Sequence, residues 1–212
     1  MKTALIAVNG NLSHLPKLAS LIDEQTIVIA ADGGAQHLLD ADITPNVVIG
    51  DMDSLSATTL RELHQTEANI QQYPREKDYT DTELALKYAL AIGCTSIKVI
   101  GFLGDRLDHM WANIAHLATQ IPAEVDLIIY EKNQQLSFIF STKTFHGKKG
   151  DELSLIPLHE DCTDITTTGL QYKLDNELLP YGTTRGVSNV FETEEVTVEL
   201  KKGMLMAIHR TM

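Results

Sequence analysis

The feature that most constrains this 212-residue chain is a change of rhythm near residue 131. Before it, short β-branched apolar runs recur at Ala4–Val8, Thr26–Ala30, Val47–Ile49, Ile97–Ile100 and Val125–Tyr130, with a further one at Ile70–Tyr73. Runs without polar alternation suit strands buried on both faces of a parallel sheet. Helical spacing separates them. Leu15, Leu18, Ala19 and Ile22 share one face, as do Leu84, Tyr88 and Ala91. Leu107, Met110, Trp111, Ile114, Leu117 and Ala118 form the widest apolar stripe, expected in the core. The alternation predicts an α/β domain over 1–131, with a doubly wound, mostly parallel sheet and helices on both faces.

After residue 131, apolar runs at Leu136–Phe140, Leu153–Ile156, Ile165–Thr168, Val196–Leu200 and Met204–Ile208 follow one another. Turn residues separate them at His146-Gly147, Lys149-Gly150-Asp151, Asp175-Asn176, Tyr181-Gly182 and Lys202-Gly203. No helical period intervenes. This predicts a second domain, 132–212, built as an antiparallel β-sandwich. The two join near Glu131–Gln134 without a Gly/Ser-rich linker.

Charge narrows the partners. Seventeen basic and 29 acidic residues leave a net charge of −12. An acidic surface argues against nucleic acid and against anionic lipid as partners. The two cysteines, Cys94 and Cys162, form no CxxC pair, which disfavours a zinc site or a disulfide scaffold. The first apolar run is too short for a signal-peptide core, and no stretch approaches the ~20 apolar residues of a membrane span. The expected location is the cytoplasm. In that compartment the glycosylation pattern Asn11-Leu12-Ser13 carries no meaning.

Acidic residues of the first domain cluster at predicted strand ends and helix starts. Asp32 precedes Gly33-Gly34, Asp51 and Asp53 follow the third run, Asp78 and Asp81 flank a helix start, and Asp105 and Asp108 follow the fifth run. In an open α/β sheet the ligand crevice lies beyond the carboxyl ends of the strands, so these acids are expected to converge there. Carboxylates without Cys or paired His are hard ligands, suited to Mg²⁺ with substrate phosphates. Asp51 and Asp53 are the best pair, since i, i+2 spacing on an extended exit points both side chains one way. Gly33, Gly34, Gly50, Gly101 and Gly104 would let backbone approach phosphate oxygens, and Arg106 could grip a phosphate bidentately. Ordinary structural readings stand beside these. Thr80-x-x-Glu83 is a capping box, Asp105-x-x-Asp108 could be an N-cap, and His109 could simply pack or face solvent. No Walker lysine loop, GxGxxG, GxSxG or HExxH is present.

Taken together, five segments resemble the thiamin pyrophosphokinase family. They are Ala31-Asp32-Gly33-Gly34-Ala35, Val48-Ile49-Gly50-Asp51-Met52-Asp53-Ser54, Asp78-Tyr79-Thr80-Asp81-Thr82-Glu83-Leu84-Ala85-Leu86, Gly101-x-x-Gly104-x-Arg106-x-Asp108-His109 with Asn113 beyond, and Gly169-Leu170-x-Tyr172-x-Leu174 followed by Gly186-Val187-Ser188-Asn189. The resemblance implies a nucleotide-binding α/β domain, a thiamin-binding β-sandwich, and a homodimer with sites at the subunit interface. It implies transfer of a diphosphoryl group from ATP to thiamin, giving AMP and thiamin diphosphate. By position, Asp51, Asp53, Asp78 and Asp81 match the catalytic acids, with Asp51, Asp53 and Asp81 near Mg²⁺. Asp32, Gly33, Gly34, Gly104, Arg106, Asp108 and His109 match the nucleotide side, and Tyr172, Ser188 and Asn189 the thiamin side. Asp105, Val190 and Tyr172 depart from the common pattern; none belongs to the metal pair.

The implied chemistry agrees with the residues, because phosphate charge and alignment dominate such a barrier and the thiazolium cation suits an acidic cleft with an aromatic face. Two rivals remain at this level. One is a diphosphokinase for another hydroxymethyl heteroaromatic, such as a pterin. The other is a non-catalytic nucleotide or thiamin sensor, which need not keep every acid.

Overall fold

The computed structural model describes residues 1–10, 12, 18–103 and 106–212. The chain divides into two compact units, Met1–Leu117 with Glu124–Lys132 and Ala118–Ala123 with Asn133–Met212. Gly104, Asp105, Leu15 and the Asn11 and Ser13 of the glycosylation pattern lie outside the described residues.

The first unit contains strands β1 (Thr3–Ala7), β2 (Thr26–Ala31), β3 (Val47–Gly50), β4 (Asn69–Gln72), β5 (Ser96–Ile100) and β6 (Asp126–Glu131). Their order is β4-β3-β2-β1-β5-β6, and every pair is parallel. The chain steps outward from β1 to β4, then returns to the other side of β1 for β5 and β6. With right-handed crossovers, that reversal puts connections on opposite faces of the sheet. Burial agrees: Leu5, Ile6 and Ala7 are consecutive and all buried, as are Val48 and Ile49, so both faces are covered. Each buried Leu, Ile or Val side chain contributes about 1.5–3 kcal/mol.

Helices α1 (Gly34–Asp40), α2 (Ala57–Leu63), α3 (Asp81–Ala91) and α4 (Leu107–Gln120) lie in the crossovers. Ser56 caps α2 by accepting from the Thr59 N–H at 3.1 Å. Thr80 and Glu83 form the predicted capping box of α3, through Thr80 N–H to Glu83 Oε2 at 2.6 Å and Glu83 N–H to Thr80 Oγ1 at 3.2 Å.

Several expectations need correction. Leu18–Leu21 is a single 3₁₀ turn rather than an α-helix. The buried face of α3 is Ala85, Leu86 and Ala89, rotated from Leu84, Tyr88 and Ala91. The α4 stripe is buried only at Ile114, Leu117 and Ala118; Leu107 and Trp111 are 71% and 57% exposed. An apolar period fixes one face of a helix, but not how far along the helix a partner covers it.

The second unit is antiparallel. It comprises β7 (Gln134–Ile139), β8 (Thr142–His146), β9 (Glu152–Thr168), β10 (Glu177–Leu179), β11 (Asn189–Val190), β12 (Glu195–Glu199) and β13 (Lys202–Arg210). The runs Leu153–Ile156 and Ile165–Thr168 are one 17-residue strand rather than two. Left-handed His159 (φ 69°) and Asp164 (φ 54°) interrupt its extended course. Its first half pairs β11 and β13, and its second half pairs β10 and β12, so β9 serves both layers of the sandwich. Lys202-Gly203 is no turn but the bulged start of β13, with Gly203 at φ 95°. Fully buried Phe191, Leu170, Ile165 and Leu205 belong to this unit's own core. Among the described residues, no helix is long and apolar enough to cross a membrane.

A buried polar pair sits in that core. His209 Nε2 lies 3.3 Å from Asp151 Oδ2, and its ring stacks on Phe191 at 4.8 Å. Asp151 Oδ2 also accepts from the Lys148 N–H (2.8 Å), and Oδ1 from the Met212 N–H (3.1 Å). Burial alone would raise the Asp151 pKa. The two N–H groups and His209 outweigh it and hold the carboxyl below its usual 3.8. A depressed folded pKa gives stability that is present above the unfolded value and lost as pH falls through the folded one. We predict that Asp151→Asn costs roughly 1–3 kcal/mol at neutral pH, because a buried acceptor network is broken. The gap to wild type should narrow as pH falls below 3.8, which denaturant unfolding across the acid range would measure.

Candidate active site

The acids converge at the carboxyl end of the parallel sheet. A cleft of about 560 Å³ opens there, lined by residues that follow β1, β2, β3 and β5. Its floor is where β1 and β5 part. Val8 N–H donates to Ile100 O and Gly10 N–H to Gly101 O, both at 2.9 Å. Gly101 has φ 64°, and a Cβ there would lie 2.4 Å from Val8 O, so a side chain would pry the two strand exits apart.

Asp32 leaves β2 in a left-handed conformation (φ 43°) and is buried. Its Oδ1 has no hydrogen-bond partner among the described residues. Asp32, Asp51 and Asp53 can each offer an oxygen within 4.8 Å of the others. The pleat expected to align Asp51 and Asp53 is absent. Met52 is left-handed (φ 66°), and the Asp53 N–H donates to Asp51 Oδ1 at 3.1 Å, so a tight turn brings the pair together.

The Asp51 and Asp81 pKa values are shifted in opposite directions. The Asp53 N–H pulls the Asp51 carboxyl below its usual range; burial opposes this, and Lys77 and Arg75 reinforce it. Asp81 is raised, first by burial and then by repulsion from Asp32 and Asp51, against the pull of Lys77. Asp81 Oδ1 lies 2.9 Å from Lys77 Nζ, and Asp53 Oδ2 lies 3.3 Å from Arg75 Nε.

Among the other predicted residues, Arg106 and His109 line the cleft, with Asn113 one turn beyond His109. Asp108 does not line it but grips Arg106, with Oδ2 2.6 Å from Nη2. Gly33 lies at the N-cap of α1, and a Cβ there would collide with the Asn9 side chain at 2.3 Å. A Cβ at Gly34 would meet Ala7 O at 2.1 Å, so this glycine serves helix-to-strand packing. Asp78 is exposed and not on the cleft wall.

In the second unit, Asn189 is buried and uses its amide on the backbone. Oδ1 accepts from the Tyr172 N–H (3.0 Å) and Nδ2 donates to Tyr172 O (2.7 Å), leaving the Tyr172 ring 65% exposed. Ser188 is left-handed (φ 57°), and its N–H donates to Ser154 Oγ at 3.0 Å. Lys77, Arg75 and Asn9 are cleft residues that sequence reasoning missed. The i, i+4 spacing of Lys77 and Asp81 was the available signal for the first.

A doubly wound sheet with an acidic, glycine-lined crevice at its switch point defines an α/β protein with a ligand cleft whose carboxylates suit a metal-bound phosphate. Comparison with known proteins is specific. Residues 18–129 match the thiamin pyrophosphokinase catalytic domain, and 136–205 match the thiamin pyrophosphokinase vitamin B1 binding domain. The thiamine pyrophosphokinase of Bacillus subtilis is 32% identical over 214 residues, covering 100% of both chains. Its crystal structure superposes with a TM-score of 0.91 at 30% identity, covering 99% of each chain. That of the Geobacillus thermodenitrificans protein gives 0.87 at 29% identity, covering 99% of this chain and 98% of that one. The chain belongs to the thiamin pyrophosphokinase family, ATP-dependent diphosphotransferases.

Gly50 tests how tightly the acids are set. A Cβ there would lie 2.9 Å from Asp32 Cβ and 3.2 Å from Asp81 Oδ1. We expect Gly50→Ala to lower AMP formation from ATP and thiamin about a hundredfold, since small misplacements cost that much. Far-ultraviolet circular dichroism should be unchanged.

Proposed function

We propose that this chain transfers the diphosphoryl group of ATP to the hydroxyl of thiamin with Mg²⁺ held by Asp32, Asp51 and Asp53, giving thiamin diphosphate and AMP. The observation that carries the metal assignment is the convergence of three carboxylates, one of them buried with an unpartnered Oδ1. An all-carboxylate donor set fits a hard cation. When bound, Mg²⁺ supplies charge neutralisation on the phosphates and fixes their orientation. Asp81, which the family pattern groups with the metal acids, is held by Lys77 and stands beside the trio.

The chain's own groups supply the rest. Arg106 offers a guanidinium to a phosphate, and Asp108 positions it. His109 and Asn113 sit on one face of α4 and provide polar groups for the nucleoside end. Gly33 leaves room for Asn9. Asp78 and Gly104 remain candidates from the family pattern. Tyr172 presents an exposed ring to the thiazolium cation, Asn189 fixes the backbone behind it, and Ser188 adds a hydroxyl. In this reading 1–131 is the nucleotide domain and 132–212 the thiamin domain.

The assembly is a homodimer and the location cytoplasmic. Exposed Leu107 and Trp111 support the first. Buried free thiols at Cys94 and Cys162 are consistent with the second.

The test measures AMP release from ATP with thiamin and, separately, with a hydroxymethyl pterin. Thiamin alone should support turnover; AMP with the pterin but not with thiamin would refute the substrate assignment. Asp53→Asn should lower turnover at least about a hundredfold while the fold persists. Undiminished turnover would remove Asp53 from the mechanism. Trp111→Glu should shift the sedimentation coefficient from dimer toward monomer.

A further inference from the structure

Lys77 is a charged cleft residue to which the proposed chemistry gives no part. Its side chain is only 11% exposed, a rare place for an ammonium. Nζ lies 2.9 Å from Asp81 Oδ1 and 3.8 Å from Asp51 Oδ2. Asp51 is one of the three acids that converge with Asp32 and Asp53. A cation carried by the chain therefore leans on a carboxylate that a divalent ion would use. Arg75 does something similar at Asp53, but from an exposed position where water and salt screen it. Lys77 acts where screening is weak.

We propose that Lys77, anchored by Asp81, is a positioning residue that competes with a divalent cation for Asp51, so that the metal is held tightly only when nucleotide phosphates arrive with it. This rests on the reading of Asp32, Asp51 and Asp53 as metal ligands. An ammonium on a four-carbon stem is a mobile point charge, and it can exchange a carboxylate for a phosphate oxygen. Polyphosphate carries more charge than one carboxylate and draws Nζ away. Asp51 is then free for the metal. Such coupling is reciprocal: nucleotide raises metal affinity by the factor by which metal raises nucleotide affinity. Without Lys77, Asp51 and Asp81 repel one another more strongly and attract a free divalent ion more strongly.

The experiment titrates Mn²⁺ calorimetrically into chelator-treated full-length protein, with and without a non-hydrolysable ATP analogue. Lys77→Met and Lys77→Gln should bind Mn²⁺ about tenfold tighter than wild type without nucleotide, with a smaller gain on adding the analogue. Lys77→Arg, which keeps the charge, should stay near wild type. Thermal melting identifies a variant that fails to fold, and Lys77→Gln, which keeps a donor, carries the test if Lys77→Met does so. Unchanged or weaker Mn²⁺ binding in both folded uncharged variants overturns the role of Lys77 alone. Absence of Mn²⁺ binding to wild type even with the analogue overturns the metal reading, and this inference with it.

Discussion

The cleft depends on β1 being paired in parallel on both sides. Its register aligns Thr3 with Thr26 of β2 and with Ser96 of β5, so Ala7, Ala30 and Ile100 stand level at the carboxyl end. The residues just past each strand then emerge together at that end: Asn9 from β1, Asp32 from β2 and Gly101 from β5. β3 adds Asp51 through its own register with β2. β2 flanks β1 on one side and β5 on the other, so the switch point of the sheet lies between the β1 and β5 exits. A ladder of backbone hydrogen bonds thus gathers side chains that the sequence keeps far apart.

Gathering acids creates a charge problem, and the structure meets it locally. Asp51 is stabilised as an anion by a neighbouring N–H, whereas Asp81, desolvated and facing two other carboxylates, is pushed toward its neutral form. One residue type therefore holds its proton with different strengths at two places in one cleft. Cations from the segment before α3 occupy the intervening space.

The parallel strands were legible because a strand covered on both faces leaves no position for polar alternation; Leu5, Ile6 and Ala7 are the plainest case. The capping box at Thr80 was legible because its two hydrogen bonds are local. The features that escaped were long-range or depended on covering. Trp111 follows a helical period yet lies exposed, since period says nothing about a partner's extent. The 17-residue β9 looked like two strands because polar His159, Glu160 and Asp161 interrupt its apolar run at the bend. Asp51 and Asp53 do come together, but through a turn rather than a pleat, because a left-handed Met52 cannot be read from residue type. Asp32 drew attention at a strand end, but its burial and the lack of a partner for Oδ1 among the described residues belong to the folded chain alone. Lys77 drew none, because its contact with Asp51 exists only in three dimensions.

The shared strand β9 carries a kinetic consequence. Its partners include β11, β12 and β13, which come after it at increasing distance along the chain. β7, which is made before β9, reaches it only through β13. The sandwich therefore cannot close as a growing ribbon and must wait until residue 210 has been made. The parallel layer, by contrast, has all six of its strands once residue 131 is available. Contacts of such long sequence separation form slowly. On the ribosome the first unit can be complete while β7, β8 and β9 still expose unpaired edges, so chaperone demand should concentrate on the second half of the molecule.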